Sequence, residues 1–250
     1  MKQVPLASLR VLLTRPLSDG AEEWATVLRA AGAEPIHYPT LTVAAPESWE
    51  ALDQALVQLP HYDLIIFTSQ TTVDSVLARL PGRRFPAELG ARIAAVGPAT
   101  QRAIDKAGAR VTLVPSDSRQ EGLVELLRPL AQGWRVLLPI AAGGRTLLAE
   151  NLRSWGCKVD VVTAYRTVPN SELGQPPAFD AAIFASPSAL RAYLAVAGRK
   201  SLAHKTVAVI GPTTAREAAT NGIPAGLAAT PDIHALISVI AQTRPNQGDL

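Results

Sequence analysis

Short apolar runs and longer amphipathic stretches alternate along this chain, and the alternation itself repeats. RVLLT (10–14) precedes a stretch of helical periodicity near 19–31, DLIIFTS (63–69) one near 71–80, and RIAAV (92–96) one near 98–107. RVLLP (135–139), AAIFAS (181–186) and TVAVIG (206–211) are followed in the same way near 145–155, 188–196 and 213–221. Buried strands alternating with helices of this length predict parallel sheets and the α/β class. VLLTRP (11–16) resembles VLLPIA (136–141), LIIFTSQTTVDSVLARL (64–80) resembles AAIFASPSALRAYLAV (181–196), and AAVGPATQRAIDKAGARV (94–111) resembles AVIGPTTAREAATNGIPA (208–225). The offsets are about 125, 117 and 114 residues and the order is kept, which marks an internal duplication. Two similar α/β domains with a ligand cleft between them are therefore expected. IHYPTLTV (36–43) and VVTAYRTVP (161–169) resist the alternation. They read either as strands within the sheets or as connections running side by side between the domains.

A 250-residue chain with 48% hydrophobic residues has ample material for two cores, and disorder is excluded as the main state. No apolar run approaches the ~18–20 residues of a membrane span, and the N-terminal run reads as a first strand rather than a leader. The expected location is cytoplasmic. A net charge of +3, with no run of Lys and Arg, fits an acidic small molecule better than a nucleic acid. His37, His61, His204 and His234 stand far apart and Cys157 is the single cysteine, so neither a metal site nor a disulfide framework is expected. Cys157 and the four tryptophans, Trp24, Trp49, Trp134 and Trp155, read as packing residues.

Open parallel sheets bind ligands at the carboxyl ends of their strands. In the first half these ends carry Thr14-Arg15-Pro16, Thr68-Ser69-Gln70-Thr71-Thr72 and Gly97-Pro98-Ala99-Thr100. In the second they carry Ala142-Gly143-Gly144-Arg145, Ser186-Pro187-Ser188 and Gly211-Pro212-Thr213-Thr214. None of these turns contains Asp or Glu. Helix N-termini offer unpaired N–H groups and partial positive charge, so such a set suits a ligand with several carboxylates or phosphates. The same residues also serve as ordinary helix caps. No dinucleotide fingerprint, P-loop or nucleophile elbow is present, and no paired acids stand at the strand ends. Ser118-x-x-Glu121 reads as a capping box opening a helix.

VLLTRP, IIFTSQTTVDS, AVGPATQRAIDKAG, PSDSRQEGLVELL, VLLPIAAGGRTLLAENLRSWGCKV, VVTAYRTVP, FASPSAL and VIGPTTAREAATNGI together resemble the uroporphyrinogen-III synthase family, from Val11 to about Ile240. The resemblance implies two flavodoxin-like domains joined by a two-stranded linker. One domain would be 1–37 with 168–250 and the other 42–162, with linker strands at about 38–41 and 163–167. It implies cyclisation of hydroxymethylbilane, a linear tetrapyrrole with eight carboxylates, to uroporphyrinogen III. Water is lost and ring D inverted, without cofactor or metal, in haem, sirohaem and cobalamin biosynthesis. The partners implied are this polycarboxylate substrate and hand-over from the upstream hydroxymethylbilane synthase, with no nucleic acid and no membrane.

Under that resemblance Tyr165 matches the family's linker tyrosine and becomes the donor to the leaving hydroxyl, helpful rather than essential because a phenol is a weak acid at pH 7. Thr14, Ser69, Gln70, Gly97, Thr100, Ser186, Ser188, Gly211, Thr213 and Thr214 are expected to bind carboxylates with neighbouring N–H groups. Arg15 and Arg145 are the expected charge partners, surface ion pairing being the alternative; Ile140 stands where Arg15 would align. A monomer is expected. The rival class is a hinged two-domain receptor or sensor for an anionic metabolite, without catalysis; a nucleotide-dependent transferase is disfavoured by the missing phosphate loop.

Overall fold

A computed structural model describes residues 6–16, 20–86 and 89–243. In chain order it begins with β1 (Arg10–Leu13), α1 (Ala21–Ala30), β2 (Glu34–His37), β3 (Leu41–Ala44), α2 (Glu50–Val57), β4 (Leu64–Phe67) and α3 (Gln70–Leu77). It continues with β5 (Arg92–Ala95), α4 (Pro98–Lys106), α5 (Gln120–Leu127), β6 (Arg135–Ala141), α6 (Leu147–Ser154) and β7 (Lys158–Pro169). Then come β8 (Ala181–Phe184), α7 (Pro187–Ala197), β9 (Thr206–Val209), α8 (Pro212–Thr220), β10 (Gly226–Leu227) and α9 (Ile233–Gln242). Asp19, where the first helix was expected to begin, lies outside the described residues.

The chain divides into two compact units, one of residues up to Thr42 and from Val168 onward, the other of Val43–Thr167. The first holds a sheet in the order β10-β9-β8-β1-β2, with every neighbouring pair parallel. The second holds β3-β7-β6-β4-β5, in which β7-β6, β6-β4 and β4-β5 are parallel, and Leu113 adds a parallel bridge to Ala94 beyond β5. Aligned by the three sequence matches, β6, β4, β5 and the Leu113 bridge occupy in the second sheet the places of β1, β8, β9 and β10 in the first. The first sheet has the 2-1-3-4-5 order of a doubly wound fold, and the aligned strands of the second repeat it, with β3 added at the edge. The first two strands and the last three of each sheet nevertheless come from opposite halves of the duplication.

The strands are apolar on both faces because helices cover both. Val11 and Leu13 meet Trp24, Leu28 and Leu236, while Leu12 faces Leu190, Tyr193 and Ala218 on the other side. In the second unit Ile65 and Phe67 pack with Leu52, Val76 and Ile104, and Leu64 and Ile66 with Leu123, Leu127 and Leu148. Adjacent strand residues point to opposite faces, so a four-residue run such as Leu64–Phe67 serves both layers; each such side chain contributes about 1.5–3 kcal/mol. Cys157 is buried and its thiol donates to the Ala131 carbonyl at 2.9 Å, a packing role as expected. Trp24 is in the core; Trp49 and Trp134 lie beneath Arg79 and Arg92. Among the described residues no helix is long and apolar enough to cross a membrane.

The two segments that broke the alternation are sheet strands and connections at once. Tyr38–Thr40, with Pro39 at its centre, separates β2 of the first sheet from β3 of the second. Residues 163–167 lie inside the twelve-residue β7, which runs along β6 and beside β3. The Asn170 amide bonds the Thr40 carbonyl at 2.9 Å, and Arg166 Nε bonds that of Ala45 at 2.8 Å.

The expected capping box does not form. α5 starts at Gln120 with Arg119 in the capping position and no side-chain cap. Arg119 instead forks onto Asp117, and the Glu121 carboxylate turns to Arg145.

Candidate active site

All sheet-forming turns singled out in the sequence fall at carboxyl edges, because the strands that feed them are parallel. Within the first unit that edge gathers Thr14, Arg15, Ser186, Ser188, Gly211, Thr213 and Thr214; within the second it gathers Ser69, Gln70, Gly97, Thr100, Arg145 and Tyr165. The strand order reverses between β1 and β8 in one sheet and between β6 and β4 in the other, the places where doubly wound sheets open a crevice.

The helix starts supply donors. Ser69 and Ser186 cap α3 and α7 by accepting from the amides of Thr72 and Ala189, both at 3.1 Å. Gly97 and Gly211 precede Pro98 and Pro212 in extended backbone, and the first intrahelical bonds come from Gln101 and Ala215. Proline at the first helical position has no N–H to leave unpaired. The amides of Gln70, Thr71, Ala99, Thr100, Ser188, Thr213 and Thr214 therefore have no intrahelical acceptor. Thr100 and Thr214 are buried, and neither hydroxyl bonds another described group. Ser188 and Thr213 are exposed; Ser188 Oγ accepts weakly from Arg191, which pairs with Glu217 at 2.5 Å.

Three of these residues have partners within the fold. Thr14 is fully buried, and its hydroxyl donates to the Ile183 carbonyl at 2.7 Å. Its own carbonyl accepts from Thr40, whose hydroxyl also reaches the Ala189 carbonyl at 3.1 Å. Thr14 thus ties β1 to β8 through its hydroxyl. Thr14→Val should lower stability by about 1–3 kcal/mol, since it strands a buried carbonyl, with ligand affinity unchanged; urea titration beside a binding isotherm checks both. Arg145 is paired with Glu121, which stands outside the turns and supplies a carboxylate that reading the turns alone missed. Arg15 is not a bare cation: its guanidinium lies 4.1 Å from the centre of the Trp24 ring.

Tyr165 is half-buried, its ring packed against the core beneath α2, α3 and α4. Its carbonyl accepts from Ala142 at 2.8 Å, fixing the chain beside the turn that carries Arg145, while its hydroxyl bonds no described group. Arg145 holds the Glu121 carboxyl below the ordinary carboxylate range, and Arg119 does the same for Asp117. No three His, Cys, Asp or Glu side chains come together as metal ligands among the described residues.

Ser118, read from the sequence as a helix cap, stands instead against a neighbouring turn. The segment after the Leu113 bridge forms a further strand-end turn, and Ser118 presses on Gly97, where an added Cβ would lie 2.7 Å from Ser118 Oγ. The signal was available: GIPA, the tail of the third repeat match, leads into β10, so GARV should lead into an equivalent strand.

Comparison with known proteins agrees with this architecture. The family described as "Uroporphyrinogen-III synthase HemD" matches residues 22–238. A Methanothermobacter thermautotrophicus protein, named as a candidate uroporphyrinogen-III synthase, is 30% identical over 95% of this chain and 98% of its own length. The uroporphyrinogen-III synthase of Synechococcus elongatus is 32% identical over 67% of this chain and 64% of its own. Among solved structures, the uroporphyrinogen-III synthetase of Helicobacter pylori superposes with a TM-score of 0.64 at 19% identity, covering 94% of this chain and all of that one. A profile spanning most of the chain and a relative matched along nearly its full length establish that the chain belongs to the uroporphyrinogen-III synthase family.

Proposed function

We propose that the protein is the uroporphyrinogen-III synthase of tetrapyrrole biosynthesis, a hydro-lyase that closes hydroxymethylbilane to uroporphyrinogen III without a cofactor. The observation that carries the reading, beside family membership, is the array of unpaired amides and hydroxyls at the carboxyl edge of each sheet. Such neutral donors bind carboxylates through fixed dipoles, and the substrate has eight.

The chemistry asks little acid or base of the protein. The terminal hydroxyl takes a proton and leaves as water, and the pyrrole nitrogen's electrons form an azafulvenium cation. The substituted carbon of ring D attacks that cation to give a spiro intermediate, whose rearrangement and proton loss yield the inverted ring. Closure without inversion would give the type I isomer, so the protein's task is to choose the attacking carbon by holding the chain. Binding energy from the acidic arms supplies the orientation. Thr100, Thr213, Thr214, Ser69, Ser186 and Ser188 with the amides of their turns hold those arms, and Arg15 and Arg145 add charge. Tyr165 donates to the departing hydroxyl. A linear substrate that closes by itself also favours direct hand-over from the enzyme that makes it.

Freshly generated hydroxymethylbilane, incubated with the protein and no added metal or nucleotide, should give mainly the type III porphyrin after oxidation and separation of isomers. Product of type I alone, at the rate without protein, would overturn the proposal. Tyr165→Phe should lower kcat about three- to thirtyfold, below the full range for an acid–base residue, while type III stays dominant. An unchanged turnover would remove Tyr165 from the mechanism.

A further inference from the structure

The six turns singled out in the sequence lack Asp and Glu, yet α5 delivers a carboxylate to the one that carries Arg145. Glu121 Oε1 pairs with Arg145 Nη2, in the turn that follows β6 beside the strand-order reversal. The other oxygen, Oε2, is out of water and has no hydrogen-bond partner, so this carboxylate depends on Arg145. The two side chains are about half-exposed, 46% for Glu121 and 59% for Arg145, so the guanidinium can exchange one carboxylate for another without leaving solvent. An ion pair this open contributes little to stability.

Resting on the reading of Arg145 as a substrate-binding residue, we infer that Glu121 is a resident competitor. It occupies Arg145 in the free protein and is displaced by a carboxylate of the incoming polyanion. It thereby weakens binding of ligands with few carboxylates more than that of the eight-carboxylate substrate, whose other arms are held elsewhere. Glu121 touches no reacting atom; it sets which anions reach Arg145.

Glu121→Gln keeps the size and removes the charge. It should lower KM about two- to fivefold with kcat unchanged, the span of an exposed ion pair. The Kd of the non-reacting octacarboxylate uroporphyrin I, followed by tryptophan fluorescence, should fall to the same degree, and the gain should shrink at high salt. Arg145→Ala should raise KM, and in that background Glu121→Gln should change nothing, the non-additivity expected of two groups acting on each other. If Arg145→Ala raises KM but Glu121→Gln raises it too or leaves it unchanged, Glu121 only positions Arg145 and the inference is wrong. If Arg145→Ala leaves KM and Kd unchanged, the binding role of Arg145 fails first. Thermal melting of each variant separates these outcomes from misfolding.

Discussion

Gly122→Ala is expected to destabilise the protein by about 2–3 kcal/mol and to lower Tm by roughly 5–10 °C, with the loss confined to the second unit. Helix propensity alone argues the other way, since alanine inside a helix is favoured over glycine by about 1 kcal/mol. Sterics decide it. Gly122 is buried in the first turn of α5, and a Cβ there would lie 2.2 Å from the Asp117 carbonyl oxygen and 3.1 Å from its carbon. The obstacle is backbone, and that carbonyl already accepts from the Arg119 amide at 2.7 Å, so no rotamer change relieves it. The Ser116–Arg119 turn must move away from the helix. Differential scanning calorimetry, with hydrogen exchange to localise the loss, checks this. An unchanged or higher Tm would mean that the turn shifts freely.

Gly97→Ala should cost about tenfold in kcat/KM, whereas Gly211→Ala should be nearly silent. The two glycines occupy equivalent places before Pro98 and Pro212, and both have extended backbone, so neither is required for its φ. Their surroundings differ. A Cβ on Gly97 would meet Ser118 Oγ at 2.7 Å and Cβ at 2.9 Å, whereas nothing lies within 4 Å at Gly211. Rotation of Ser118 removes the first clash but not the second, so the turn with its Ala99 and Thr100 amides is pushed off position. Ser118→Gly added to Gly97→Ala should restore most of the loss. Steady-state kinetics on the three variants, with KM carrying most of the change, is the measurement. Equal effects at the two glycines would show that the donors act without a defined geometry.

What the sequence disclosed follows the range of the forces involved. Strands such as Leu64–Phe67 and Ala181–Phe184 were legible because both faces are buried, so the run itself is apolar. Their helices were legible because Ser69, Ser186 and the Gly-Pro pairs act within three or four residues. The bond from Thr14 was not legible because its acceptor, Ile183, is 169 residues away, and nothing local marks a hydroxyl that stitches two strands. The carboxylate-free edge was misjudged for the same reason: Glu121 reaches Arg145 from another helix, 24 residues earlier. The capping box failed although its spacing was right, since α5 opens at Gln120 with Arg119 as its cap residue, and Arg145 takes the Glu121 carboxylate. The repeat shows which strands correspond but not which halves exchange them; that exchange was legible only through the family resemblance.

That exchange imposes a timetable on synthesis. Every strand of the second unit has left the ribosome once β7 is made, but β1, which carries β2 on one side, pairs on the other with β8, which comes later. At about 5–20 residues per second, the first strands must wait on the order of ten seconds or more for their neighbour. During that interval Val11, Leu12 and Leu13, fully buried when folded, belong to a sheet that does not yet exist. The nascent N-terminus is thus the stretch of this chain most in need of a chaperone, while the interior of the sequence can mature first.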